Sequence, residues 1–126
     1  MVVYISVGLL ESLLAYARDR YPHEIILLLR GKVNRGKIYI EEVLVAPFTV
    51  QGENFASFNP YMLPIDSTII GTVHSHPSGV LRPSIEDLNH MYGMIMMILA
   101  YPYRDINDVS VFNKNGEKIP LDLIHN

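Results

Sequence analysis

Between Ser67 and Leu88 the chain changes character three times, and that succession restricts its folding more than any other feature. Ser67-Thr68-Ile69-Ile70-Gly71-Thr72-Val73 is β-branched and apolar, the composition of a strand. Continued through His74-Ser75-His76, a strand alternates its side chains between faces, so His74 and His76 point the same way and can grip one cation. Pro77 ends the strand, and Pro77, Gly79 and Pro83 mark a turn. Ser84-Ile85-Glu86-Asp87-Leu88 then reads as a helix start, with Ser84 as N-cap and Asp87 three residues on, as in a capping box. In the first helical turn the dipole favours the ionised carboxylate, the form a metal requires. Two histidines and one carboxylate leave a fourth tetrahedral position for water, the arrangement of catalytic rather than structural zinc. Each part has a plainer reading, as packing histidines or as a simple cap. Their conjunction within the fourteen residues from His74 to Asp87 points to zinc.

His74-x-His76, seven residues, Ser84, two residues and Asp87 together resemble the signature of the JAMM metalloprotease family, also called MPN-plus domains. That family's remaining element is a Glu on an early strand, and His23-Glu24-Ile25-Ile26-Leu27-Leu28-Leu29-Arg30-Gly31 is similar to it in position and context. The resemblance extends over nearly the whole chain, takes in Met62-Leu63-Pro64 and Ala100-Tyr101-Pro102, and is closest to short archaeal members without large insertions.

The resemblance implies an α/β protein of the MPN (JAMM) fold, cytidine deaminase-like, with a curved mixed β-sheet flanked by helices. It implies Zn2+ on His74, His76 and Asp87, Glu24 as the residue that takes and returns the proton, and the Ser84 hydroxyl as a donor to the oxyanion. Read without it, Glu24 is a solvated strand end and Ser84 only a cap. The implied activity is that of a zinc-dependent isopeptidase, cutting the amide between the C-terminus of a ubiquitin-like small modifier and a lysine or peptide. Two other functions stay open. One is a non-catalytic MPN scaffold, although such domains typically lose motif residues and this chain keeps all five. The other is kinship with bacterial RadC-like proteins, whose His-Pro-Ser-Gly turn resembles residues 76–79.

The length of 126 residues predicts a single domain over 1–126, whose core buries roughly two-thirds of the unfolded surface. Apolar residues at 49%, charged residues at 18% and a mean hydropathy of +0.19 describe a globular chain rather than a disordered one. No apolar run approaches the roughly 18 residues of a membrane span and no signal-like start is present, so the expectation is a cytoplasmic protein with no membrane partner. Without cysteine, disulfides and thiolate ligands are excluded, and so is the cysteine-ligated zinc of cytidine deaminases. A net charge of −3 and a pI near 5.9 argue against nucleic acid as partner. The sequence leaves the oligomeric state open.

Elsewhere, Ser6 as N-cap and the spacing of Leu9, Leu10, Leu13, Leu14 and Ala17 predict a helix over about 7–20, broken by Tyr21-Pro22. Glu24 to Arg30 is a nearly continuous apolar run, hence a strand covered on both faces, and Asn34-Arg35-Gly36 turns it back into a strand from Lys37 to Phe48. Gln51 to Asn59 reads as a loop whose Phe55 and Phe58 are either a substrate-binding pair or core anchors. Ile85, Leu88, Met91 and Tyr92 are expected on the buried side of a short helix ended by Gly93. Met94 to Tyr101 is expected as a central strand, and Val109–Asn113 with Lys118–Leu123 as a hairpin around Asn115-Gly116. His23, His90 and His125 lie outside the motif.

Overall fold

In the computed structural model, which describes residues 1–45, 50–51, 56–57 and 66–125, the chain opens with a strand, β1 (Val2–Ser6), that the sequence reading left out. Its β-branched Val2-Val3 and aromatic Tyr4 suit a strand, but the strand is only five residues long, too few for periodicity to register. Helix α1 (Val7–Arg20) has the expected bounds, with the Ser6 hydroxyl accepting the Leu9 N–H at 3.1 Å and Tyr21 as C-cap. Leu10, Leu13, Leu14 and Ala17 form its buried stripe.

Strand β2 (Ile26–Asn34) begins two residues after Glu24 and pairs antiparallel with β3 (Lys37–Val45) across the Arg35-Gly36 turn, where both residues have positive φ. Val50–Gln51 (β4) and Ala56–Ser57 (β5) form a separate two-stranded pairing inside the expected loop. Phe55 and Phe58 lie outside the described residues. The histidine strand, β6 (Ile69–His76), pairs antiparallel with β2 and parallel with β7 (Ile95–Ala100), every residue of which is buried. The expected hairpin follows as β8 (Val109–Phe112) and β9 (Lys118–Ile119).

The last strand, β10 (Leu121–Ile124), departs from the expected hairpin. Instead of prolonging β9 it runs parallel to β1, so the eight-stranded sheet is ordered β10-β1-β3-β2-β6-β7-β8-β9. Only Pro120 separates the two edge strands in sequence, and its carbonyl accepts the Val3 N–H at 2.9 Å. A sheet whose opposite edges meet at one residue must curve strongly on itself. Proline suits the corner because it has no N–H to contribute to a ladder.

The concave side wraps α1. A single apolar cluster joins the buried stripe of α1 to residues of β1, β2, β3, β6, β7, β8 and β9, among them Ile5, Leu29, Ile38, Val73, Met97 and Val111. Burial of each large aliphatic side chain there contributes about 1.5–3 kcal/mol, which is what holds an otherwise marginal 14-residue helix. The convex side carries two smaller clusters, Ile26 with Leu28 and Met96 with Ile98 and Phe112. His74 and His76 alternate with Val73 and Ser75 and therefore face this second side.

A helix crosses that side between β6 and β7. This α2 (Ile85–Asn89) is shorter than expected and is capped by His90 rather than Gly93. Ile85, expected on the buried side, is 81% exposed, and no residue of α2 is fully buried. One turn and a half cannot present a full apolar face. Met91 and Tyr92 come from the segment after it and pack against the two convex clusters. Gly93 has a different use. At φ 82° its backbone lies so close to β6 that a Cβ would stand 2.7 Å from the Gly71 nitrogen and the Ile70 carbonyl oxygen. With Met94 N–H donating to the Ile70 carbonyl at 2.8 Å, this approach pins the return from α2 onto the histidine strand.

Candidate metal centre

The capping box expected at Ser84 forms in both directions and aims Asp87. The Ser84 hydroxyl accepts the Asp87 N–H at 3.0 Å, while the Ser84 N–H donates to Asp87 Oδ2 at 2.8 Å. The same carboxylate faces both histidines, with His76 Nε2 3.2 Å from Oδ2 and His74 Nδ1 3.8 Å from Oδ1. All three side chains are largely buried, exposed by only 13–20%. Strand alternation, the turn and the cap thus bring together the three groups that the sequence singled out.

His76 carries a tautomer signal. Its Nδ1 lies 2.8 Å from the Val80 carbonyl, which can only accept, so Nδ1 bears the proton and Nε2 of the neutral ring is left as a lone-pair donor. Val80 was not singled out by sequence because the contact uses its backbone, which any residue supplies. Burial pushes His74 down to about 4 despite the opposing charge of Asp87, so it is neutral and ready to donate at pH 7. For His76 burial also lowers the pKa, but the Asp87 hydrogen bond, the Val80 carbonyl and the charges of Asp87 and Glu24 together raise it above 6.5. Burial favours the neutral form of Asp87, and the His76 contact, the Ser84 N–H and both histidine charges outweigh it, holding the carboxyl well below its ordinary range.

The donor set suits zinc. Two ligands each about 2.0–2.1 Å from one tetrahedral zinc lie roughly 3.3 Å apart, close to the 3.2 Å His76 contact and about half an ångström inside the 3.8 Å His74 contact. As they stand, no three His, Asp or Glu side chains among the described residues are grouped closely enough to hold a metal ion.

Glu24 comes from a different part of the chain. Ile26 pairs with His74 across β2 and β6, and Ser75 N–H donates to the Ile25 carbonyl at 3.0 Å, so the residue next to Glu24 is tied to the strand segment between the two histidines. The Glu24 charge is felt there, helping to raise the His76 pKa. Half-buried Glu24 is therefore not the solvated strand end that its local sequence suggests. His23, His90 and His125 stay exposed, and His90 Nδ1 contacts the Glu86 carbonyl of its own helix at 2.9 Å.

Residues 6–113 match the family of prokaryotic homologues of the JAB domain. The chain belongs to this JAB family. The JAB chain is 34% identical over 130 residues to a probable metalloprotease of Haloferax volcanii, covering 98% of its own length and 80% of the relative. Among solved structures it resembles one described as a JAMM metalloprotease-like zinc site in the proteasome and signalosome, at 31% identity and a TM-score of 0.71, with 98% and 99% of the two chains covered. A JAB1/MPN domain protein from Archaeoglobus fulgidus is 31% identical with a TM-score of 0.70, covering 97% and 96%. A Desulfitobacterium hafniense protein, 20% identical with a TM-score of 0.67 over 98% and 94% of the chains, shares the fold alone. The JAB chain is thus a short archaeal-type JAMM member, with a curved mixed sheet and few helices. No helix among its described residues is long and apolar enough to cross a membrane.

The buried imidazole of His74 makes acid stability a test of this JAB site. Its folded pKa of about 4 lies below 6.5, so between those values the unfolded chain binds the proton more readily and stability falls as pH is lowered from 6.5 to 4. The difference corresponds to roughly 3 kcal/mol. His76 has the opposite sign: its raised pKa stabilises below 6.5 and that contribution is lost as pH rises through the raised value. Urea unfolding of chelator-treated protein at pH 7 and pH 4.5 should show the loss, and His74→Gln should remove most of it. An unchanged pH slope in that variant would place the acid sensitivity elsewhere.

Proposed function

We propose that this JAB-family protein is a zinc-dependent isopeptidase that hydrolyses the amide between the C-terminus of a ubiquitin-like small modifier and a lysine or peptide amine. The observation that carries the reading is the convergence of His74, His76 and Asp87 on one side of β6, with the Glu24 charge acting on His76. His74, His76 and Asp87 would hold the zinc. When bound, it supplies Lewis acidity and brings the pKa of water to about 7.

The protein's own groups do the rest. Val80 keeps the His76 tautomer that leaves Nε2 free to donate, and the capping box keeps the Asp87 carboxylate aimed and ionised. The Glu24 carboxylate takes the proton of the attacking water and passes it to the departing nitrogen, which would otherwise leave poorly as an amide anion. Ser84 caps α2 through an oxygen lone pair, so its hydroxyl proton is available to the oxyanion. The Haloferax volcanii relative, described as a probable metalloprotease, supports amide hydrolysis as the reaction class. The small-modifier substrate rests on the motif's resemblance to the isopeptidases of the JAMM family.

Incubating zinc-loaded protein with small modifiers joined through an isopeptide bond to lysine, then weighing the products by mass spectrometry, tests the reading. Release of the modifier with a free C-terminal carboxylate is expected. Intact conjugate after prolonged incubation, alongside one zinc per chain, would favour the non-catalytic scaffold. The role of Ser84 is separable. Ser84→Ala keeps the backbone N–H that binds Asp87 Oδ2, so Asp87 stays aimed while the hydroxyl is lost. Its kcat should fall ten- to a thousandfold with little change in KM, if the hydroxyl serves the transition state alone. The cap by itself is worth roughly 1 kcal/mol of stability, so a normal kcat with a lowered Tm would reduce Ser84 to a cap.

A further inference from the structure

Helix α2 carries Asp87 but has no fully buried residue, so burial alone does not hold that carboxylate against the histidine strand. The capping box does not do so either. Both of its hydrogen bonds join Ser84 to Asp87, which fixes the carboxylate relative to the helix and not relative to β6. The segment is tied to the histidine strand on either side of α2, by the Val80 carbonyl on His76 Nδ1 at 2.8 Å and by the Met94 N–H on the Ile70 carbonyl at 2.8 Å. Asp87 lies midway between those ties in sequence.

A support stands at that midpoint. Leu88, the neighbour of Asp87, reaches across to the turn between β8 and β9, where a Cβ on Gly116 would stand 3.2 Å from Leu88 Cδ1. The leucine therefore rests on bare backbone. Gly116 has a φ of 78°, so glycine suits the position both by conformation and by space. Gly36 in the β2–β3 turn provides the contrast: its φ is 80°, yet a Cβ there would meet nothing within 4 Å among the described residues. Left-handed backbone is common to the two turns, and the close approach of a side chain is particular to Gly116.

The β8–β9 turn is stiffly built for one that adjoins a two-residue strand. Asn113 N–H donates to the Glu117 carbonyl at 2.9 Å, and Gly116 N–H donates to the Asn113 carbonyl at 3.0 Å. The Asn113 side-chain oxygen accepts the Asn115 N–H at 2.9 Å and the Glu117 N–H at 3.0 Å, while its amide donates to the Glu117 carboxylate at 3.0 Å. Backbone and side chain together make the turn a firm abutment.

We propose that Leu88 is a positioning residue for Asp87: braced against the Gly116 backbone, it sets the distance of α2 from the sheet and so holds the Asp87 carboxylate between His74 and His76. Ligand distances in a metal site hold to about 0.2 Å, so a small drift of α2 is enough to weaken the centre. The consequence for zinc rests on His74, His76 and Asp87 being its ligands, while the consequence for the rigidity of α2 does not.

The test uses full-length protein with Leu88→Ala, Leu88→Met, Gly116→Ala and Gly36→Ala. Alanine keeps the helix propensity of α2 and removes the side chain that meets Gly116. Zinc affinity of Leu88→Ala, read by chelator competition, should fall about tenfold, and Leu88→Met should restore it to within about threefold of wild type. In the metal-free protein, NMR order parameters of the α2 amides should drop from about 0.85 to below about 0.6 in Leu88→Ala, with those of β7 unchanged. Gly116→Ala pushes a methyl group onto Leu88 and should also weaken zinc binding, whereas Gly36→Ala strains its own turn and should leave zinc affinity as it was. Wild-type zinc affinity or wild-type α2 order in Leu88→Ala would overturn the proposal, and so would equal zinc affinities in the two glycine variants. If Gly116→Ala does not fold, the Leu88 variants decide alone. Wild-type protein that binds no zinc would defeat the ligand assignment, and the α2 order parameters would then decide the positioning by themselves.

Discussion

Glu24→Ala should leave the protein folded and zinc-loaded and lower kcat by about 10²–10⁴, the range that a positioned proton-transfer group contributes. The expectation follows from where Glu24 stands. It lies outside β2, so the substitution removes no rung of the sheet, and it is half-buried, so no large cavity opens. Its charge acts on His76, and the three candidate ligands do not include it. Zinc per chain, the urea midpoint and kcat on one isopeptide substrate are the three measurements. Loss of kcat with the other two intact identifies a proton-handling residue. Loss of zinc would make Glu24 a ligand, and undiminished turnover would send the search for the base elsewhere.

Replacing the two histidines together, His74→Ala with His76→Ala, should abolish both stoichiometric zinc and turnover. Asp87 would remain, held by the Ser84 N–H, but a lone carboxylate retains zinc poorly. The fold should persist without the metal, because an apolar cluster spanning α1 and seven strands supplies its stability from the other side of the sheet. Elemental analysis after dialysis should give about one zinc per wild-type chain and none in the double variant, with far-ultraviolet circular dichroism unchanged. Full zinc in the double variant would remove His74 and His76 from the centre altogether. The same variant should also have lost the roughly 3 kcal/mol acid-sensitive contribution of His74, so its stability should vary less between pH 7 and pH 4.5.

Those expectations draw on two kinds of information. The proximity of His74, His76 and Asp87 was legible because each part obeys a local rule: strand alternation puts His74 and His76 on one face, Pro77 stops the strand, and a reciprocal Ser84–Asp87 cap starts a helix and aims its carboxylate. α1 was legible for the same reason, through a cap at Ser6 and a stripe of the right period. Where the reading failed, the segment was short. β1 has five residues and α2 has five, too few for a period to be distinguished, and Ile85 was assigned a buried face that so short a helix does not possess.

What the sequence determined by itself, then, was the local arrangement of the candidate site: His74, His76 and Asp87 at intervals that a strand, a turn and a helix cap bring near one another. What only the tertiary structure decided was everything that depends on partners distant in the chain. The Glu24 charge acts on His76, and Ser75 grips Ile25 fifty residues away, because β2 and β6 pair in one register out of several that their apolar runs would allow. β10 leaves its expected hairpin because β1 offers a parallel edge on the far side of the curve. The turn after β7 is held from 85 residues away, by the Arg18 guanidinium of α1 on the Tyr103 carbonyl. Register and closure are settled by the packing of whole faces, with α1 on the concave side and Met91 and Tyr92 on the convex side. No window of neighbouring residues contains that energy, because it exists only once the faces have met.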